Sequence, residues 1–555
     1  MTGAQILIQS LIDQGVDTIF GYPGGSVLNI YDALYDYQDK IRHIVTSHEQ
    51  GAAHAADGYA RSTGKPGVVL ATSGPGATNL VTGLATAYMD SVPVIAITGN
   101  VALDLLGRDS FQEIDITGIT MPITKHNFIV KAVDDLAWTV KEAFIIAASG
   151  RPGPVLIDIP KNIAADNAEY VAQGRFKPRP APLPAKGSIN DAVLAIQHAE
   201  RPLIYAGGGI ISSGASKELL QFAKKLQAPI VCTMMGLGSV PSHFETYLGM
   251  IGMHGTPASN HAAQTCDLLI AVGARFSDRV AGNRKKFAPN ARILHVDIDS
   301  SEFSKNVTAD ITIEGDAKAV LSMLTTALQA QSHDIWLRDL MRFKVQNPLP
   351  TYMDTPFLNP YSVLSCLKAA APDDTILVTD VGQHQMFVAQ SYPFAYPRTF
   401  LSSGGLGTMG FGMGAAIGAK VANPGKTVVL VTGDGSFHMN LNELACAVSE
   451  GLPIVVLIFN NTVLGMVRQW QKLFYNERYS FTSLNRKTDF TSLAAAFGCQ
   501  AERVADRDRF CQALSRALES NVPYIIDCIM DKDSSVYPMI PPGGTGEDII
   551  YCDDF

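Results

Sequence analysis

The sequence predicts an α/β protein of three doubly wound domains, each built on a parallel sheet. Three observations lead there. The chain has 555 residues, and domains usually run to about 100–200 residues, so one core cannot serve it. Short apolar runs alternate with helical patterns along the whole length, which favours parallel strands joined by helical crossovers. An order of features also repeats. GYARSTGKPGVVLATSGPG (residues 58–76) and GAKVANPGKTVVLVTGDG (residues 418–435) each hold a Gly/Ala-rich helix, a Gly-Lys turn, a VVL strand and a glycine loop. A solenoid repeats every ~20–50 residues, far less than this separation. The echo therefore points to related first and third domains around a different middle one, with chance likeness as the open alternative.

Composition narrows the class. The 47% apolar and 17% charged content, with 48 Gly and 30 Pro, describes a globular chain with many tight turns. A net charge of -9 and a pI near 5.7 leave no basic footprint for nucleic acid. The eight cysteines (Cys232, Cys266, Cys366, Cys446, Cys499, Cys511, Cys528 and Cys552) form no CxxC pair and are expected as free buried thiols. The N-terminal segment has no basic region before an apolar stretch, and no apolar run approaches the ~20 residues of a membrane span. A cytoplasmic protein is expected.

The first domain, residues 1–165, opens with an amphipathic helix, a short strand and a Gly-Pro turn, and has strands at 67–72 and 92–98. A linker at 166–188 carries Pro178, Pro180, Pro182 and Pro184. The middle domain, residues 188–335, has strands at 203–206 and 268–272, and a second linker is expected at 331–360. The third domain, residues 360–540, has strands at 428–432 and 454–459, followed by a tail at 541–555. Open α/β sheets bind ligands beyond the carboxyl ends of their strands, so the loops closing these strands are the place to look for chemistry.

Two such loops leave the third sheet at the same end. Gly433-Asp434-Gly435 follows TVVLVT, and Asn460-Asn461 follows PIVVLIF. Mg²⁺ takes hard oxygen ligands and keeps phosphate oxygens in its shell, which the Asp434 carboxylate and Asn461 amide oxygen could complete. The flanking glycines let a diphosphate approach the backbone, and a helix expected at 440–449 would direct its first N–H groups at the anion. The plainer alternative is that Asp434 caps that helix and Asn461 starts a turn. Glu49, in SHEQGAAHAADGYAR, stands at the start of an Ala/Gly-rich helix, where the dipole alone would favour a carboxylate.

The 27-residue step from Asp434 to Asn461 resembles the signature of thiamine-diphosphate-dependent enzymes. Across almost the whole chain, FGYPGG, HEQGAA, TSGPGATN, SFQEID, SGRPGPVLIDIPK, GMHGT, GARFSDRVAGN, DVGQHQM, GLGTMGFG, GDGSF and GMVRQWQ occur in order. In these segments the chain resembles the acetohydroxyacid synthases. That resemblance implies related thiamine-diphosphate-binding first and third domains around a Rossmann-like FAD-binding middle domain. It also implies decarboxylation of pyruvate and transfer of the two-carbon unit to a second pyruvate or to 2-oxobutyrate, giving 2-acetolactate or 2-aceto-2-hydroxybutyrate. This is the first common step of valine, leucine and isoleucine biosynthesis. The alternatives are a flavin-free catabolic acetolactate synthase, which should lack GARFSDRVAGN, and a flavin-linked pyruvate oxidase.

Residue by residue, the resemblance implies that Glu49 acts on the cofactor pyrimidine, with Gly24, Pro75 and Asn79 beside it. Gln383, His384, Gly407, Gly433, Gly435, Ser436, Asn461 and Met466 are implied thiamine diphosphate contacts, and Met409 the prop for its bent shape. Asp434, Asn461 and the main-chain carbonyl of Val463 are the implied Mg²⁺ ligands. FAD contacts fall on Arg151, Gly207, Gly208, Met253, His254, Gly255, Gly273, Arg275, Asp297 and Asp316, although strand-end glycines and turn aspartates explain part of that pattern without a ligand. Arg279 is implied beside the flavin and as a fork for the substrate carboxylate. The family pattern has two acidic residues before it, whereas this chain has Ser277-Asp278. Trp470 would bound the acceptor pocket, with Phe111, Gln112 and Lys161 as further wall. The segment after Trp470 and the tail at 541–555 are candidate lids. A homodimer or homotetramer with sites between subunits, and a possible small regulatory subunit, complete the implication.

Overall fold

The computed structural model, which describes residues 1–350 and 358–551, resolves the alternation into three six-stranded parallel sheets. The first contains β1 (Thr18–Gly21), β2 (Arg42–Val45), β3 (Gly67–Ala71), β4 (Val94–Asn100), β5 (His126–Ile129) and β6 (Val155–Pro160), ordered β2-β1-β3-β4-β6-β5. The middle sheet contains β7 (Pro202–Ala206), β8 (Ile230–Cys232), β9 (Tyr247–Met250), β10 (Leu268–Val272), β11 (Arg292–Asp297) and β12 (Ile311–Glu314), ordered β12-β11-β10-β7-β8-β9. The third contains β13 (Ile376–Thr379), β14 (Phe400–Leu401), β15 (Val428–Gly433), β16 (Ile454–Asn460), β17 (Gln500–Val504) and β18 (Tyr524–Ile529), ordered β14-β13-β15-β16-β18-β17. Every residue of β3, β4, β10 and β16 is buried. Helices cover both faces of a parallel sheet, and this is why these strands read as unbroken apolar runs.

Counted from its own first strand, the third sheet has the strand order of the first. The internal echo is therefore structural. The helices before β3 and β15, Glu49–Thr63 and Phe411–Ala422, pack against each other. A side-chain carbon at Gly58 would lie 2.2 Å from the carbonyl oxygen of Ala415, and one at Gly418 would lie 1.8 Å from that of Ala55. One offset of 360 residues relates both members of the first contact to those of the second. The two domains thus face each other across a local two-fold, and a single apolar cluster runs from Ala52, Ala55 and Val69 into Ala415, Ile417 and Val456.

Three expectations need correction. The stretch 331–360 is not a plain linker, because it holds the helix Asp334–Gln346. Two buried side chains, Trp336 and Leu340, anchor that helix, and Trp336 Nε1 donates to the carbonyl of Pro202 at 3.0 Å. The rest of its surface is largely exposed, which masks the periodicity. The linker expected at 166–188 carries no helix or strand up to residue 185, but its last three residues belong to the helix Lys186–His198. The cysteines are not all free. Cys366 and Cys511 form a disulfide between the packed helices Pro360–Ala370 and Arg507–Glu519, a pairing that depends on tertiary contact. Cys232, Cys266, Cys446, Cys499 and Cys528 are free and buried, and Cys552 lies outside the described residues. No helix among the described residues is long and apolar enough to cross a membrane.

Candidate active site

β15 and β16 are adjacent, with Gly433 in register with Phe459, so the GDG and NN loops leave one edge side by side. The helix that follows GDG begins earlier than expected. Asp434 is its first residue (Asp434–Asn440), and the span 440–449 is a tight turn, Leu441–Glu443, followed by the short helix Leu444–Ser449. Gly433 occupies the cap without a capping side chain, and the Asp434 carboxylate itself takes the N–H groups of Asp434 and Gly435. Asp434 is buried, and burial pushes its carboxyl up to about 6. The amide oxygen of Asn461 accepts from the N–H of Val463 at 3.2 Å, so the turn reading is realised, and a second lone pair remains for a cation. No cluster of three or more His, Cys, Asp or Glu suited to a metal exists among the described residues. One carboxylate with neutral oxygens is a donor set that fits Mg²⁺ sharing phosphate oxygens, not zinc.

Other implied cofactor residues surround this edge. His384 is buried beside Gly433, where a side-chain carbon would lie 3.0 Å from its Nδ1. Its Nε2 has no partner, and burial drives the imidazole down to about 3, so it stands neutral. Such an orphaned nitrogen fits a polar ligand. Gly410 donates to the Asp380 carboxylate at 2.7 Å and to Ser436 Oγ at 3.3 Å. The positive φ angles of Gly407 and Gly410, 70° and 88°, bend the main chain on either side of half-buried Met409. Gln383 instead donates to Gln469 Oε1 at 3.0 Å and to the carbonyl of Ser534 at 2.9 Å.

In the first domain Glu49 begins its helix, as read from the sequence, and is buried. Asn79 Nδ2 donates to Glu49 Oε2 at 2.9 Å. Pro75 opens the short helix Pro75–Asn79 that carries this amide. A side-chain carbon at Gly76 would lie 3.2 Å from Glu49 Oε1 and 2.7 Å from Thr72 Cγ2, and one at Gly24 would lie 2.5 Å from Thr72 Cβ. These glycines keep a cradle open before the carboxylate, which fits a flat ring. Gln112 holds a φ of 60°, against the backbone of Gly74. That conformation costs energy for a side-chain-bearing residue, and such strain clusters at functional sites.

A cavity of about 660 Å³ joins the middle and third domains. Arg279, Met466, Val467, Trp470, Gln471, Tyr475, Arg478 and Ser480 line it. The Arg279 guanidinium sits 5.7 Å from the Trp470 ring centroid. Trp470 belongs to the helix Gly465–Phe474, and its Nε1 has no partner. Past that helix the chain folds back onto the NN loop, with Leu464 N–H donating to Thr482 O at 2.8 Å and Leu484 N–H to Thr462 O at 2.8 Å. The tail docks on the middle domain, where the N–H of Asn283 donates to the carbonyl of Gly544 at 3.4 Å, next to the bond of Ile540 N–H to Met253 O at 2.7 Å.

In the middle domain Gly207 and Gly209 crowd Gly273: side-chain carbons there would lie 2.1 Å from its carbonyl oxygen and 2.6 Å from its Cα. The steric reason for glycine is thus present whatever binds. Gly208 starts the short helix Gly208–Ser212. Asp316 caps the helix Ala317–Ala327, and Asp297 accepts the N–H of Asp299 at 3.0 Å, with burial raising its carboxyl to about 6. Arg151 donates to Ser91 Oγ and Glu302 Oε1, each at 2.8 Å, and Arg275 to Met89 O at 2.7 Å. His254 is buried with Nδ1 unpartnered, next to Gly255, whose N–H bonds Gly252 O at 2.8 Å. Glycine turns, orphaned buried nitrogen and an arginine pair fit a large polyanionic ligand such as FAD.

Comparisons with known proteins agree with this geometry. Models of the thiamine pyrophosphate enzymes match in chain order: the N-terminal TPP binding domain over residues 1–119, the central domain over 189–324 and the C-terminal TPP binding domain over 380–528. The probable acetolactate synthase large subunit of Methanocaldococcus jannaschii is 48% identical over 99% of this chain and 95% of its own length. The acetolactate synthase isozyme 2 large subunit of Escherichia coli is 45% identical over 99% of each chain. The acetolactate synthase large subunit of Corynebacterium glutamicum is 46% identical over 100% of this chain and 90% of its own. The chain belongs to the acetolactate synthase large-subunit family.

For a member of that family, a single chain brings together only part of the expected site. Arg279, Met466 and Trp470 share a cavity, and Glu49 and Asn79 share a hydrogen bond. Among the described residues no hydrogen bond links Glu49 to Asp434 or Asn461. Phe111, 88% exposed, and the exposed Lys161 line no part of the Arg279 cavity. Tyr475, Arg478 and Ser480 in the cavity wall fall in the segment after Trp470 expected as a lid, although none of the three was singled out. Sequence reasoning missed Asp90, which takes Arg61 Nη2 at 2.9 Å and the N–H groups of Gly404 and Gly405 at 3.0 and 2.7 Å. Nothing local marks that aspartate.

Proposed function

We infer that this chain is the catalytic subunit of an acetolactate synthase. It removes carbon dioxide from pyruvate and joins the remaining two-carbon unit to a second pyruvate or to 2-oxobutyrate. The observation that carries this reading is the cavity of about 660 Å³ in which Arg279 and Trp470 face each other. It offers a cation for a 2-oxo acid carboxylate and a flat apolar wall for its alkyl chain. Thiamine diphosphate, when bound, supplies a nucleophilic ring carbon and an electron sink for the pair left by carbon dioxide.

This chain's residues do the rest. Asp434, Asn461 and the Val463 carbonyl would hold Mg²⁺, which would supply charge for the diphosphate, with His384 and Ser436 alongside. Glu49, steadied by Asn79, holds a proton at the pyrimidine nitrogen in a water-poor cradle. Arg279 orients the acid by its fork, and Trp470 favours the longer acceptor by contact. Tyr475, Arg478 and Ser480, all exposed, form the outer rim of the cavity. Joining two 2-oxo acids with loss of carbon dioxide is redox-neutral, so FAD in the middle domain has a place but no required electron transfer.

Glu49 and Phe111 serve the site of a second copy in this reading, which is supported by the absence, among the described residues, of a hydrogen bond from Glu49 to Asp434 or Asn461 and of Phe111 from the Arg279 cavity. A homodimer is the smallest complete unit, and a homotetramer pairs two. Because the relatives are named large subunits, a small regulatory partner belongs to the same reading, as does a cytoplasmic location. The test is direct: supply the purified chain with thiamine diphosphate, Mg²⁺ and pyruvate, and identify the product. Acetolactate is expected. Acetate formed with oxygen consumption, or acetaldehyde as the main product, contradicts it.

A further inference from the structure

Glu443 lies in the turn Leu441–Glu443 of the third domain, is fully buried, and reaches out of its own domain. Its Oε1 accepts the N–H of His48 at 2.9 Å, and its Oε2 accepts the N–H of Ser47 at 3.1 Å. Ser47 Oγ donates in turn to the carbonyl of Asn442 at 2.9 Å. Ser47 and His48 are the two residues before Glu49, whose helix starts there. Gly51 belongs to the same device. A side-chain carbon on it would lie 2.3 Å from Glu443 Oε1, so the glycine of HEQG makes room for this carboxylate.

Helix starts leave N–H groups unpaired, and a carboxylate satisfies two of them with charge-assisted bonds. The helix's own cap is His48, whose Nδ1 accepts the N–H of Gln50 at 3.1 Å, while Glu443 pairs the N–H groups of Ser47 and His48 just before it from another domain. Burial and the neighbouring charge of Glu49 push the Glu443 carboxyl up to about 7, so the acid is a costly way to fill space. An apolar side chain would pack at less cost but leave both N–H groups orphaned.

We propose that Glu443 is a positioning residue for Glu49, its carboxylate pinning the main chain of Ser47 and His48 so that Glu49 stands at the required point of the cradle. This rests on the reading of Glu49 as the carboxylate that acts on the cofactor. Glu443→Gln replaces one acceptor by an NH₂ group that opposes an N–H. Gly51→Ala displaces the carboxylate without removing it.

The test measures deuterium exchange at the reactive ring carbon of thiamine diphosphate bound to the holoenzyme with Mg²⁺, by quenched flow and NMR. Cofactor affinity and the thermal midpoint are measured on the same variants. Both variants should slow exchange on the order of 100-fold with the cofactor Kd within about threefold of the parent, the midpoint falling only by the cost of an opposed N–H and staying well above the assay temperature. Glu49→Gln, run alongside, should abolish exchange. If it does while both other variants exchange at the parent rate, the positioning role is wrong and the reading of Glu49 stands. Parent-like exchange in Glu49→Gln removes both. A slowdown matched by lost cofactor affinity or stability, or unfolding of Glu443→Gln with parent-like exchange in Gly51→Ala, makes Glu443 merely structural and overturns the proposal.

Discussion

Gly418 stands against the backbone of Ala55 so closely that a side-chain carbon on it would lie 1.8 Å from that carbonyl oxygen. The reciprocal contact of Gly58 with Ala415 makes the two central helices a tight, locally symmetric pair. The obstacle on each side is main chain, which cannot swing away as a side chain can. Gly418→Ala should therefore cost about 3 kcal/mol or more of stability by forcing the domains apart. Gly425→Ala, where nothing lies within 4 Å, should cost nothing measurable. Thermal denaturation of both variants checks this.

Arg279 and Trp470 divide substrate recognition between charge and shape. Arg279→Lys keeps the charge but loses the planar fork, and should raise the KM for pyruvate about tenfold or more with a smaller effect on kcat. Trp470→Leu should lower the preference for 2-oxobutyrate over pyruvate by about tenfold, the scale of one methylene in an apolar pocket. Competition between the two acceptors, read as the product ratio, checks the second.

Asp434 is the single carboxylate among the proposed metal ligands. Asp434→Ala should abolish Mg²⁺-dependent binding of thiamine diphosphate while leaving the fold intact, since the residue uses no capping bond from a neighbour's side chain. Calorimetric titration with and without a chelator measures it. Tight cofactor binding by the variant would place the metal elsewhere.

Asp158 gives a pH dependence with a definite sign. It is buried on β6, between β4 and β5, accepting from Thr98 Oγ1 at 2.7 Å and from the amide of Asn100, and burial outweighs these bonds to raise its carboxyl to about 6. The folded chain then holds more protons than the unfolded one between about pH 4 and 6, so stability falls as pH rises through that window and is flat above it. The span is worth about 3 kcal/mol. Asp158→Asn lacks this component. The midpoint difference between parent and variant should move against the parent from about pH 4.5 to 6 and then level off.

Most of the fold was legible because parallel strands buried on both faces leave apolar runs no other element explains; the runs at 203–206 and 428–432 fall within β7 and β15. Glu49 was legible as the first residue of its helix, and the motif order carried Arg279 and Trp470 into one cavity. The helix after GDG was misplaced because glycines around Asp434 read as loop, although they begin the helix itself. The helix Asp334–Gln346 was missed because only Trp336 and Leu340 on it are buried. Glu443, in LNELACA, has the local look of a solvated helix charge, and only its reach to His48 from a distant part of the chain reveals its work. The disulfide between Cys366 and Cys511 spans 145 residues and was equally out of reach.

The most direct test of a site shared between copies is to mix two inactive variants, Glu49→Gln and Asp434→Ala, under conditions that exchange subunits, and to assay acetolactate. A mixed dimer carries both lesions in one site and none in the other, so activity should return to about one quarter of the parent level. Failure of the mixture to regain activity, with subunit exchange shown independently, would contradict the account.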